Sequence, residues 1–263
     1  MINVLMNGDW EKISVEKLQL GTPSFDFESG LYETFRTLDY KPVFLFPHLE
    51  RLFKSAKKIG LDIEFTQQQL VKMIFKVIQN FDDPNQRVRI LAVPEKLIIY
   101  ASPLNLDKST YKGVSVMTVK TKRTSPEMKT TDYNTCLKAW EKAQRSNCFE
   151  AVLVDKNGDI YEGSRSNIFW VRDGKVFTRE KDVLPGVTRQ AIIKKYPFSV
   201  TFGKLNQTDL SDIDELFITN SGSGIVPVIR VNSQKIGNGK VGRITNNLLV
   251  CYDKWINRNI DKL

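Results

Sequence analysis

Five short segments hold the residues whose types and spacing could do chemistry. Pro185-Gly186-Val187-Thr188-Arg189 places a glycine loop ahead of a helical pattern over Gln190–Tyr196. Backbone N–H groups at a helix start have no partner inside the helix and favour an anion, and the Thr188 hydroxyl adds a donor. The same residues also make an ordinary loop and cap. Asn220-Ser221-Gly222-Ser223-Gly224 follows a strand ending at Thr219. Its small residues let backbone approach a ligand closely, or simply turn the chain. Arg51 falls in the first turns of a helix beginning near His48. Its planar fork suits phosphate, and it equally suits a solvated helix face. His48 itself reads as a helix-start residue rather than a catalytic base. Glu162 closes a strand in Tyr161-Glu162-Gly163-Ser164-Arg165-Ser166-Asn167, and Lys129 stands in Glu127-Met128-Lys129-Thr130-Thr131-Asp132-Tyr133. Each, alone, is compatible with a hairpin carboxylate or an exposed lysine.

The elements that must position these residues follow from periodicity. Pro47–Leu61 is an amphipathic helix with Leu49, Leu52, Phe53, Ala56 and Ile59 on one side. A second helix starts at the N-cap Thr66 and carries Leu70, Met73, Ile74, Val77 and Ile78. Strands are predicted over Val88–Val93, Leu97–Ala101 and Val114–Val119. Pro103 to Lys112 is polar and aperiodic, which makes residues 103–112 a linker between an N-terminal domain, 1–102, and a C-terminal domain, 113–263. Lys120 to Met128 is a second loop. A helix over Tyr133–Ser146 shows Leu137, Trp140 and Ala143 at helical spacing. Beyond it come strands at Ala151–Val154, Ile160-Tyr161, Asn167–Val171, Lys175–Thr178 and Leu216–Thr219, with hairpin turns at Asn157-Gly158 and Asp173-Gly174. A helix over Arg243–Ile256 closes the chain. Irregular alternation of helices and strands points to an α+β or mixed α/β protein in two domains.

Composition narrows the function. With 263 residues, 41% hydrophobic and 26% charged, the chain can bury a sizeable core. No apolar run reaches the length of about 18 residues that spans a bilayer, and the N-terminus lacks the pattern of a signal peptide, so no membrane partner and a cytoplasmic location are expected. Three scattered cysteines and a single histidine, His48, give neither a disulfide framework nor a zinc motif, so no metal is expected. The charge of +9 is spread along the whole chain, the pattern of a lysine-rich surface, and no nucleic-acid partner is expected. A positive field also suits an enzyme that binds phosphate and carboxylate groups.

In chain order the segments are His48-Leu49-Glu50-Arg51-Leu52, the Lys129 and Tyr133 pair, Glu162–Phe169, Leu184–Arg189 and Phe217–Val228. Together they resemble the class IV aminotransferase family, the fold-type IV pyridoxal-phosphate enzymes. Branched-chain aminotransferases, D-amino-acid aminotransferases and 4-amino-4-deoxychorismate lyases belong to it. The resemblance runs from Asn7-Gly8 to Gly242, and the Glu162–Phe169 and Leu184–Arg189 segments are its most specific parts. It implies a smaller N-terminal α/β domain, a larger C-terminal barrel-like α/β domain, and pyridoxal 5′-phosphate at their interface. It implies a homodimer whose partner residues reach each pocket. Lys129 matches the lysine that forms the internal aldimine and then moves the substrate α-proton. Glu162 matches the carboxylate that keeps the pyridine nitrogen protonated. Arg51, the backbone of Val187 and Thr188, the Thr188 side chain, Ser221 and the Gly222 backbone match the phosphate cup. Tyr133 matches a donor to the cofactor ring oxygen, and Asn167 a residue fixing the strand of Glu162.

The choice of reaction lies in the substrate pocket rather than in Lys129 or Glu162. Gly30-Leu31-Tyr32-Glu33-Thr34-Phe35-Arg36 is similar to a Gly-x-Phe-Glu-Thr-x-Arg pattern common among the lyases and seen in some aminotransferases, and departs from it at Tyr32. Phe27-Glu28-Ser29-Gly30 stands where many members carry a Tyr-Gly pair that helps hold a substrate carboxylate. Arg87 and Arg89 share one face of a strand by period-2 alternation, and either bind a carboxylate or add surface charge. The expectation is an amino-acid aminotransferase acting on an amino acid and a 2-keto acid. The alternative is the lyase, which releases pyruvate and 4-aminobenzoate.

Overall fold

A computed structural model of the chain describes residues 1–195 and 199–260. The chain divides into two compact units. The first holds Met1–Asn105, the strip Met128–Asn134 and the chain from Ile256. The second holds Leu106–Glu127 and Thr135–Trp255.

In the first unit, β1 (Ile2–Met6), β2 (Asp9–Ile13), β3 (Leu31–Leu38) and β4 (Lys41–Pro42) precede helices α1 (Leu45–Ile59) and α2 (Gln67–Gln79), and β5 (Gln86–Val93) and β6 (Lys96–Pro103) follow. Among the described residues these strands form one antiparallel sheet in the order β2-β1-β6-β5-β3-β4. The turn between β1 and β2 has positive φ at both Asn7 (50°) and Gly8 (98°), the conformation whose twist matches two paired strands. Thr66 begins α2 with a full capping box, its side chain accepting from the Gln69 N–H while Gln69 accepts from the Thr66 N–H. All five predicted core residues of α2 are buried. They pack with Leu49, Leu52 and Ala56 of α1 against Phe35, Val88, Ile90 and Ile99 of the sheet. Each such side chain contributes about 1.5–3 kcal/mol by leaving water. Ile59 departs from the predicted face and is exposed, because α1 ends beside it at Gly60 in the left-handed conformation (φ 69°). The opposite sheet face buries Val4, Tyr32, Leu91, Ile98 and Tyr100.

The second unit runs β7 (Val114–Lys120), α3 (Asn134–Arg145), β8 (Glu150–Val154), β9 (Asp159–Gly163), β10 (Asn167–Arg172), β11 (Lys175–Thr178), α4 (Val187–Lys195), β12 (Val200–Phe202), β13 (Leu205–Asn206), β14 (Glu215–Asn220), β15 (Gly224–Val231), β16 (Gln234–Lys235) and α5 (Arg243–Ile260), with α3 and α5 belonging to it for most of their lengths. The order β12-β11-β10-β14-β15-β7-β8-β9-β13 leaves consecutive strands β9 and β10 far apart in the ladder, yet the two lie against each other. The six strands from β10 to β9 therefore curl round a shared interior of Val116, Val152, Ile160, Ile168, Ile218 and Val226. The Asp173-Gly174 turn has positive φ at both residues (50° and 70°), as its sequence requires.

Three further helical expectations shift. The buried face of α3 is Cys136, Ala139 and Ala143, with Leu137 and Trp140 half-buried beside it. The helix predicted from Gln190 begins at Val187, since the Gln190 N–H already donates to the Gly186 carbonyl at 2.8 Å. Its predicted end, Tyr196, lies outside the described residues. The closing helix continues past Ile256 to Ile260. Within Pro103–Lys112, residues Lys108–Lys112 form a short 3-10 turn capped by Asp107. Among the described residues no helix is long and apolar enough to cross a membrane, and no group of three or more His, Cys, Asp or Glu side chains is placed to hold a metal.

Candidate active site

Lys129 sits in the strip that belongs to the first unit. The Tyr32 N–H donates to the Lys129 carbonyl at 3.0 Å, and the Thr131 N–H donates to the Gly30 carbonyl at 2.9 Å. The Gly30 N–H donates to the Thr131 hydroxyl at 2.9 Å. The strip is thus zipped to the start of β3, and position 30 must be glycine because a Cβ there would strike the Ala92 carbonyl. This registry sets the Lys129 Nζ 4.2 Å from the Tyr32 ring centre. Tyr133 meets the same ring edge-on at 6.0 Å, and the Arg89 guanidinium lies 5.8 Å from it. Lys129, Tyr32, Tyr133 and Arg89 are therefore brought together.

The two candidate arginines of β5 part company. Both lie on the face that also carries Leu91 and Val93. Arg87 is opposite Arg36 and Ser102 near the strand start and is exposed. Arg89 is opposite Thr34 and Tyr100, and donates to the Thr34 hydroxyl at 3.4 Å and the Tyr100 hydroxyl at 3.3 Å. Burial alone would lower its pKa, but Tyr100, Tyr32 and Tyr133 outweigh this and raise it. Among the described residues no carboxylate pairs with Arg89. A half-buried, lasting cation with aromatic walls is suited to a carboxylate from outside the chain.

Arg51 lies on α1 and forks onto Glu33 of β3. Its Nε–H donates to Oε1 at 2.7 Å and its Nη2–H to Oε2 at 2.7 Å. His48 Nδ1 lies 2.8 Å from Oε2. Burial alone would raise the Glu33 pKa, but the charge and hydrogen bond of Arg51, with the hydrogen bond of His48, bring it down to about 2. Burial pushes His48 below its ordinary value despite Glu33, so its ring is neutral at pH 7 and Nδ1–H is the donor. Sequence reasoning missed Glu33 as the partner of Arg51. An acidic residue in an otherwise apolar strand is the available signal.

In the second unit, Glu162 lies near the end of β9. Its Oε2 accepts from the Leu184 N–H at 2.9 Å and the Asn167 Nδ2 at 3.3 Å, while Oε1 pairs with the Arg123 Nη1 at 3.1 Å. Asn167 also donates to the Leu184 carbonyl at 2.8 Å, tying β10 to the loop before α4. Glu150 holds the β9–β10 connection from behind: its carboxylate accepts from the Ser164 and Ser166 hydroxyls and from the Arg165 and Ala151 N–H groups. Sequence reasoning missed Glu150, although a lone acid abutting the apolar run Ala151–Val154 marks a position that needs buried donors.

Val187 and Thr188 open α4. A Cβ at Gly186 would strike the Asn167 side-chain oxygen, which explains the glycine before this helix. The Thr188 hydroxyl is buried and has no hydrogen-bond partner, and neither has that of Thr219, which stands across the ladder from Asn167. A buried hydroxyl without a partner costs about 1–3 kcal/mol, so each is poised for an acceptor. Ser221 and Gly222 lie half-buried in the turn from β14 to β15, where the Ser223 N–H donates to the Asn220 side chain at 2.7 Å. Arg189 is committed elsewhere: it is buried and donates to the Arg179 carbonyl and the Thr178 hydroxyl, anchoring α4.

The family model for amino-transferase class IV matches residues 30–231, a span that includes every one of these positions. The chain belongs to the class IV aminotransferase family. Within it, the chain is 26% identical to the D-alanine aminotransferase of Staphylococcus epidermidis, over 97% of this chain and 98% of that one. It is 28% identical to a probable branched-chain-amino-acid aminotransferase of Thermotoga maritima, over 87% of each. A crystal structure of the T.th. branched-chain amino acid aminotransferase with pyridoxamine 5′-phosphate is similar in fold, with a TM-score of 0.83 at 25% identity over 97% of this chain and 93% of that one. Class IV membership accounts for the two-unit α+β architecture and its curled second sheet.

Proposed function

We propose that this chain is a pyridoxal 5′-phosphate-dependent aminotransferase that moves an amino group between an amino acid and a 2-keto acid. The observation that carries the reading is the Lys129 amine, set over Tyr32 beside the half-buried cation Arg89 by a strip zipped to β3. The residues present fit the cofactor. The Thr188 hydroxyl at the start of α4 is buried and needs an acceptor, as a phosphate oxygen would be. Pyridoxal phosphate, once bound, supplies an electron sink for the carbanion left when the α-proton departs.

Lys129 Nζ would hold the cofactor and would carry the proton from the substrate α-carbon, as base and then as acid. Glu162 holds a proton at the ring nitrogen, oriented by the Leu184 N–H and Asn167. Arg51, the Val187 and Thr188 N–H groups, the Thr188 hydroxyl, Ser221 and the Gly222 N–H bind the phosphate. Tyr133 donates to the ring oxygen. Arg89, braced by Tyr100 and Thr34, binds the substrate carboxylate beside Tyr32.

The test is a visible absorption spectrum of the purified protein beside Lys129→Ala, followed by addition of single amino acids. A yellow band that an amino acid bleaches with release of a keto acid is expected, with turnover lowered by roughly 10²–10⁴ in the variant. Pyruvate and 4-aminobenzoate formed from aminodeoxychorismate, with no amino acid accepted, would replace this reading by the lyase. No band after incubation with pyridoxal phosphate would reject both.

A further inference from the structure

The Gly30–Arg36 and His48–Leu52 segments meet in one buried cluster. Glu33 receives two parallel bonds from Arg51, one on each oxygen, and a further one from His48. His48 and Arg51 are one turn apart on α1 and so share the helix face that meets β3. Glu33 lies in the helix-facing row of β3, between Leu31 and Phe35, and the His48 ring is 5.6 Å from Phe35. The Glu33 side chain is 1% exposed and that of Arg51 10%.

An ion pair this deep is a poor device for stability alone, because apolar side chains of like volume serve a core as well or better. What the cluster supplies and an apolar core does not is an arginine fixed in one plane. A two-pronged bond sets the orientation of a guanidinium as well as its distance, whereas a lysine would supply charge without a plane. Both members stand on regular elements, a strand and a helix, so the orientation is set by the fold rather than by a loop.

We infer that Glu33 is a positioning residue, which holds the Arg51 guanidinium so that the edge turned away from it meets a phosphate ester; this rests on the cofactor reading above. Glu33 does not touch the ligand. Its removal leaves the Arg51 charge in place and loses the aim. The effect therefore falls on ligands that carry the phosphate and passes through Arg51.

The experiment titrates the apo-protein with pyridoxal phosphate, and separately with pyridoxal, which lacks the phosphate. Wild type, Glu33→Gln, Arg51→Gln and the double variant are compared. Glu33→Gln is expected to weaken pyridoxal phosphate binding roughly tenfold or more, the scale on which groups that orient a ligand contact act. Pyridoxal binding stays unchanged. In the Arg51→Gln background the Glu33 substitution has no further effect. Equal weakening for pyridoxal and pyridoxal phosphate, or additive losses in the double variant, would overturn the inference. If Glu33→Gln does not fold, Glu33→Asp, which keeps the charge and shortens its reach, is judged by the same comparison. Inorganic phosphate separates this inference from the cofactor reading. If wild type binds no pyridoxal phosphate, yet phosphate raises its melting temperature and Glu33→Gln loses that rise, the cofactor reading falls and the role of Glu33 stands. If wild type binds neither pyridoxal phosphate nor phosphate, both fall.

Discussion

Two buried carboxylates, one in each unit, are paired with arginines in different ways. Glu33 and Glu162 have side chains only 1% and 3% exposed. Glu33 is bound by a fork from a helix and by a neutral histidine one turn away, all on regular structure. Glu162 pairs with Arg123, a loop residue, and accepts from a backbone N–H and an amide. The first arrangement spends both oxygens on partners fixed by a helix. The second relies for its guanidinium on a segment outside any strand or helix. The contrast is between a carboxylate held wholly by side chains of a helix and one held in part by loops.

The largest expected effect tests the first side of the contrast. Glu33→Ala leaves Arg51 and His48 buried without their acceptor and should cost about 3–5 kcal/mol in urea unfolding. A loss below about 1 kcal/mol, the scale of an exposed pair, would mean that the cluster is not closed to water. The acid limb comes next. The folded pKa of Glu33, about 2, lies below the usual value of 4.5, so its stabilisation is full above pH 4.5 and drains away as pH falls towards 2. That amounts to roughly 3 kcal/mol over the window, visible as a slope in stability against pH that Glu33→Gln removes.

Arg123→Ala should cost less, about 1–3 kcal/mol, since Glu162 keeps the Leu184 N–H and Asn167. A loss equal to that of Glu33→Ala would erase the distinction between the two carboxylates. Smallest is Thr131→Val, which removes only the bond from the Gly30 N–H and should cost about 1 kcal/mol. Its signature is faster amide exchange at Gly30, with β5 and β6 unaffected.

Local structure is legible where one rule decides it. The capping box of Thr66, the five buried residues of α2 and the turns at Asn7-Gly8 and Asp173-Gly174 need only neighbours in the chain. The face of α3 shares only Ala143 with the predicted one: Leu137 and Trp140 have the character of a core but are half-buried, and the small side chains Cys136 and Ala139 are buried in their place. Val187 and Thr188 read as a loop because a proline and a glycine precede them, and the Gly186 carbonyl instead accepts the first bond of the helix.

Among candidate site residues, the sequence by itself determined which side chains were chemically apt, since an amine, a carboxylate and an arginine are properties of residue type. The order of the motifs, and with it the family, was also in the chain. Only the tertiary structure decided which of these groups touch. Arg87 and Arg89 share a face, yet one is exposed and the other braced by Tyr100, because burial depends on the neighbouring strand. Glu33 is one letter of a motif until β3 and α1 are packed together, and Glu150 is one acid among many until β8 meets the turn after β9. Such pairings join residues far apart in sequence, and a local pattern carries no record of what stands across a sheet or beneath a helix.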